Sequence, residues 1–377
     1  MQSNTSERNE AVSTRTRRWG WWSIARIVAL SVVVALVLFL LTPIGRYLAR
    51  AGWEEARILA GRRPIAELVG NSTIEAGIRR KLELVLAARQ FAADSLALDA
   101  GESFTMFTQL RRDTLLLVLS AARRDALVPH TWWFPIVGRV PYKGYFDFEA
   151  AREAAAALEA EGHDTYLRPA SAFSTLGWFN DPLLSTTLRQ DSLSLANTVI
   201  HEITHNEFYA PGRTVFNESF ANFVGARGAA WLFRSRGDTV AARRIDARWE
   251  DEKILALFWS DLLSELDSAF RAHPDDRDAR LAIRDTIYAR ARERLRTEIV
   301  PRARTMAPSY ADRVVLDNAA LLARRVYMTD LDVYDAVLER EGGNVAAAVR
   351  RIIGLVEEAT DDPFAALRAW LGKDPSP

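Results

Sequence analysis

The sequence predicts an α+β protein that is mostly helical, with a transmembrane helix near its N-terminus and one small mixed or antiparallel sheet packed on a helical core. Three observations carry that expectation. From Trp21 to Leu41 the chain is almost wholly apolar, and between Ile27 and Leu41 Ser31 is the only polar residue. One block, about 110–185, has the β-branched and aromatic runs of strand length that pleated surfaces favour. After Asp191 the apolar residues recur at helical spacing to the end of the chain.

The chain has 377 residues, 49 Lys+Arg against 49 Asp+Glu, and no cysteine. That balance leaves no basic footprint for nucleic acid. The missing thiols exclude zinc ribbons, iron–sulfur sites, cysteine nucleophiles and a lipid-modified N-terminal cysteine. Any metal would have to be held by His, Asp or Glu.

Taken in order, residues 1–20 are polar and basic (Arg8, Arg15, Arg17, Arg18) and read as a disordered cytoplasmic tail. Residues 21–43 read as a signal anchor. At 1.5 Å per residue the apolar helix is about 32 Å long, enough to cross the hydrocarbon core of a bilayer. Trp19, Trp21 and Trp22 suit an interfacial belt, and Pro43 with Gly45 ends the span. A cleaved secretory signal is the rival reading, with Ala49 and Ala51 as small residues, but Arg50 lies between them. A short basic N-terminus before a single span places the remaining chain outside the cytoplasm.

Residues 44–109 read as N-terminal helices broken at Pro64. Strands are expected at Thr114–Ser120, Thr131–Ile136, Val140–Phe146 and Asp164–Arg168, with an alanine-rich helix at Phe148–Glu161, and this block is the only sheet the sequence suggests. Residues 110–235 then form a catalytic core and 236–372 a C-terminal helical region. There Leu255, Phe258, Leu262 and Leu266 make one stripe, Leu281, Tyr288 and Leu295 another, with a turn at His273-Pro274.

One segment carries chemistry: His201-Glu202-Ile203-Thr204-His205, an HExxH motif. On a helix, positions i and i+4 share a face, so both imidazoles can address one ion while Glu202 reaches a water on it. Leu193, Ala196, Ile200 and Ile203 supply the apolar stripe of that helix. After a break at Ala210-Pro211-Gly212-Arg213 comes a second helix containing Asn217-Glu218-Ser219-Phe220-Ala221-Asn222. Folded back, it would bring Glu218 to His201 and His205. A His₂Glu set leaves a zinc ion one open position, as catalytic sites require. Asn222, one turn on, could orient a ligand.

These motifs resemble the gluzincin zinc metallopeptidases, and more closely a bacterial family described as putative aminopeptidases, usually membrane-tethered. That likeness extends to Gly144-Tyr145-Phe146, Ser174-Thr175-Leu176-Gly177-Trp178-Phe179, Asp317-Asn318-Ala319 and Glu341-Gly342-Gly343-Asn344. It implies a gluzincin-like core and one Zn²⁺ per chain on His201, His205 and Glu218. Glu202 is then the general base, acting on a peptide substrate. A tyrosine from the C-terminal helices would stabilise the oxyanion, Tyr327 first and Tyr310 second. The extended segment with Ser174, Gly177, Trp178 and Phe179 would bind substrate backbone and side chains. The span and the short basic N-terminus before it predict a single-pass protein of the bacterial inner membrane, its catalytic domain periplasmic or extracytoplasmic. Aminopeptidase, endopeptidase and non-catalytic tethered scaffold remain as readings. The first needs an acceptor for the substrate amine, for which Asp181 and Glu207 are the candidates.

Overall fold

The computed structural model describes residues 21–134, 138–170, 182–359 and 362–372. It divides into two compact units, 1–54 and 55–377. In the first, helix α1 (Trp21–Leu41) is followed at once by α2 (Pro43–Ala60). Thr42 makes the joint: its hydroxyl donates to Phe39 O and accepts the Gly45 N–H. Pro43 therefore opens the next helix, a position that needs no N–H donor. Within 24–41, α1 is long and apolar enough to cross a membrane.

In the second unit, β1 (Arg62–Pro64), α3 (Ile65–Gly70) and α4 (Ala76–Asp94) lead to β2 (Met106–Thr108). A three-stranded sheet then follows: β3 (Leu116–Arg123) at its centre, flanked antiparallel by β6 (Tyr142–Tyr145) and β7 (His163–Ala170). A small ribbon, β4 (Trp132–Phe134) with β5 (Gly138–Val140), stands beside it, and α5 (Phe148–Ala160) precedes β7. The expectation of a single sheet confined to 110–185 is corrected here. β1 pairs antiparallel with β2, and β2 pairs parallel with β8 (Leu183–Leu184), so a second sheet draws two strands from outside that block. Strands of two or three residues show no alternation long enough to read in a sequence.

The remainder is helical: α6 (Ser192–Glu207), α7 (Thr214–Ser235), α8 (Thr239–Ala272) and α9 (Arg277–Arg294). A π-helical turn, Leu295–Ile299, joins α9 to the short α10 (Val300–Arg302), whose Pro301 lacks a backbone donor. Then come α11 (Tyr310–Arg313), α12 (Asn318–Arg325), α13 (Leu331–Arg340), α14 (Val345–Glu358) and α15 (Pro363–Leu371). Asp191, Asp238, Asp276, Asp317, Asn344 and Asp362 each accept N–H groups of the helix they precede, so its first turn is satisfied by a side chain.

Two of the apolar clusters among the described residues hold the helices of this unit. The larger joins α4, α6, α7, α13 and α14 through residues such as Val85, Val199, Phe216, Phe223 and Tyr334. The smaller closes the α8–α9 hairpin with Phe258, Leu262, Leu266 and Tyr288. Strand β7 connects sheet and helices by its alternation. Leu167 faces α5, packing with Leu158, while Asp164, Tyr166 and Arg168 meet Arg284, Arg324 and Tyr327 respectively. Asn318 staples the same junction: its side-chain amide donates to Arg123 O at 2.8 Å, its Oδ1 accepts from Tyr288 Oη at 2.7 Å, and its N–H bonds Asp164.

Candidate metal centre and adjoining cleft

Helices α6 and α7 form a close antiparallel-type hairpin around a turn at Phe208–Arg213. Asn217, fully buried, locks the turn with two bonds to one residue: Nδ2 donates to Ala210 O and Oδ1 accepts Ala210 N–H, both at 2.9 Å. Gly212 adopts φ +73°, which permits the reversal. The helices can approach because α7 presents Gly225 and Gly228 to α6. A Cβ on Gly225 would stand 2.3 Å from Asn197 Oδ1, 3.0 Å from Asn197 O and 3.2 Å from His201 Cβ.

This hairpin brings His201, His205 and Glu218 together; one ligand atom from each lies within 4.8 Å of the others. Nε2 of His201 and Nε2 of His205 are 3.3 Å apart, and Glu218 Oε2 is 3.5 and 3.8 Å from them. A tetrahedral ion with bonds of 2.0–2.1 Å separates its ligand atoms by roughly 3.3 Å. The triangle therefore fits such an ion, its longest edge wide by a few tenths of an ångström. The electrostatics agree with a cation at this point. Burial pushes the Glu218 carboxyl up, but the two imidazoles outweigh it and hold the group down at about 2. Burial works against charge on His201, yet Glu218 and Glu202 raise its pKa. Nδ1 of His205 is buried and unpartnered among the described residues. No other group of three such donors occurs among them.

Asn222 donates from Nδ2 to Tyr327 O at 2.9 Å and favours the charged form of His201, so it ties the α12–α13 connection to the donor helices. Tyr327 is near enough to feel the centre: its hydroxyl lies 3.4 Å from Arg168 Nη2, and burial followed by the charge of Glu218 raises its pKa, which favours the protonated hydroxyl. Tyr310 has other neighbours, Arg324 and Tyr166. Glu207 is committed to the backbone, accepting Asp99 N–H at 2.7 Å. Ser174, Gly177, Trp178, Phe179 and Asp181 lie outside the described residues.

Next to the donors, a cleft of about 510 Å³ opens between α6, α7 and α8, lined by Asn197, His201, Glu202, Asn222, Arg248 and Glu252 among others. Three contributors escaped sequence reasoning. Arg168 comes from β7. Tyr142 on β6 has its pKa raised by burial and then by Tyr327 and Glu218. Glu252 comes from α8. Each reaches the site only through tertiary packing, and no local spacing signals it.

Over residues 46–367 the chain matches the family described as putative aminopeptidase, and it belongs to that family. Comparison with curated proteins and with solved structures returns no match.

Proposed function

We propose that the protein is a zinc-dependent peptidase, an aminopeptidase by family, anchored by α1 in the bacterial inner membrane with residues 44–372 on the periplasmic side. The observation that carries the chemistry is the triangle of donor atoms on His201, His205 and Glu218, with edges of 3.3–3.8 Å. A zinc ion there would supply Lewis acidity toward a carbonyl oxygen and acidify a water. Glu202, in the cleft wall beside His201, takes the proton of the attacking water and returns it to the leaving amine. The protonated Tyr327 hydroxyl supplies the donor for charge developing on the carbonyl oxygen, and Arg168 beside it keeps that region electropositive. Asn222, bonded to Tyr327 O, ties that backbone to the helix that carries Glu218.

The test has two parts. Elemental analysis of the purified chain is expected to give one zinc per molecule, lost in His201→Ala. Peptide hydrolysis is expected to fall by about a hundred- to ten-thousandfold in Glu202→Gln, because a positioned base contributes 10²–10⁴ and the amide cannot replace it. Equal cleavage by wild type and Glu202→Gln would end the proposal.

A further inference from the structure

On α8 the six residues from Arg248 to Lys253 include five charged side chains, and four of them have partners. Arg248 bonds Asp191 and Ser194, and Glu250 pairs with Arg227 and Lys253. Asp251 accepts the Arg304 and Thr305 N–H groups, and Lys253 also reaches Asp335, as does Trp249. Glu252 is the exception: among the described residues it has no hydrogen bond and no ion pair. It lies in the cleft that also holds Glu202 and His201. Burial, with Asp251 adding to it, pushes its pKa up to about 7 against the pull of His201 and Arg248. A carboxylate withdrawn from water and left without a partner is costly, so a cation that arrives with a ligand would complete it.

That cation is organic. Glu252 belongs to no three-donor metal group among the described residues, and an ammonium needs only one carboxylate and a neighbouring acceptor, which the amide of Asn197 in the same wall provides. Leu193, Ala226, Ile245 and Trp249 give the wall an apolar part, set among the uncharged Gln190, Ser194 and Thr198, and Arg248 is the guanidinium in it. Such a wall suits an uncharged side chain beside the ammonium better than a basic one.

We infer that Glu252 is the residue that receives the α-ammonium of a peptide's free N-terminus, which makes the cleft the seat of the substrate's first residue. This assignment rests on the peptidase reading for the class of its ligand, but the binding that it requires does not depend on turnover.

The experiment uses the full chain in detergent, in the Glu202→Gln background so that ligands persist, with and without Glu252→Gln. Three probes are titrated by calorimetry: Leu-Ala-Ala amide, its N-acetyl form, and N-acetyl-Lys-Ala-Ala amide. The free-amine peptide is expected to bind at least about tenfold tighter than its acetyl form, and Glu252→Gln should reduce that preference to near unity while Glu252→Asp keeps part of it. A preference that survives Glu252→Gln, or its absence at the outset, overturns the assignment. So does equal binding of the acetyl-lysyl and free-amine peptides, which would make a basic side chain the source of the cation. Wild-type turnover of the same peptides separates the two ideas. A binding preference without cleavage of any peptide removes the peptidase and leaves Glu252 as an amine receptor. Cleavage indifferent to acetylation and to Glu252→Gln leaves the peptidase and removes the receptor.

Discussion

Gly225 has room for a hydrogen atom and little more. In Gly225→Ala the Asn197 side chain could rotate away, but Asn197 O at 3.0 Å and His201 Cβ at 3.2 Å belong to the helix itself. The helices must then part by a few tenths of an ångström, at the residue that carries a donor. The expected outcome is a loss of about 1–3 kcal/mol in urea unfolding, with less than one bound zinc per chain. Asn217 offers a second test. Its side chain bonds both polar groups of Ala210, and Asn217→Ala leaves the buried Ala210 N–H without its acceptor while Ala210 O keeps only the Arg213 N–H. Roughly 1–3 kcal/mol is expected, by the same measurement. The sequence marks Asn217 only as the neighbour of Glu218; its role is invisible there because the partner is backbone. His201, His205 and Glu218 were legible, because helical spacing alone puts two of them on one face and a short turn returns the third.

Among the elements, α6 depends on its first turn. Asp191 accepts Leu193 and Ser194 N–H groups and pairs with Arg248 of α8, so one carboxylate caps the donor helix and fastens it to the cleft wall. Asp191→Ala is expected to cost about 1 kcal/mol in denaturant unfolding. Burial pushes the Asp191 pKa up, but the Ser194 backbone and the Arg248 guanidinium prevail and hold it at about 2, below its ordinary 3.8. A carboxyl depressed in the folded state stabilises fully above its unfolded pKa, and that contribution fades as pH falls through the folded one. Wild type should therefore lose more stability than Asp191→Asn between pH 4 and about pH 2, as read by thermal unfolding across that range. Long elements were legible because an amphipathic stripe survives sequence noise. The three-residue strands β1 and β2 were not, since hydrogen bonding to a distant partner defines them. The row Asp164, Tyr166, Arg168 is likewise a period-two pattern whose meaning comes from the helices opposite.

For the whole molecule, α1 and the proposed zinc site make separate predictions. If α1 is an anchor, the full chain stays in the membrane pellet under alkaline carbonate, and its recovery in the supernatant would remove the anchor. Chelation should lower the midpoint of thermal unfolding and restoring zinc should reverse it, since an ion that binds only the folded donors adds its binding free energy to stability. An unchanged midpoint with zinc demonstrably removed would show that the ion does not bind the folded donors in preference to the unfolded chain, against the proposed site. Glu252, Tyr142 and Arg168 enter only at this scale, and so the sequence could not announce them. The single lock at Asn217 has one more consequence. Because the donors meet within one hairpin, closing it needs only a short loop, whose entropic cost is small. While the chain is being synthesised, the three donors are all present before α8 and Tyr327 have emerged, so the hairpin that joins them can close ahead of the cleft walls.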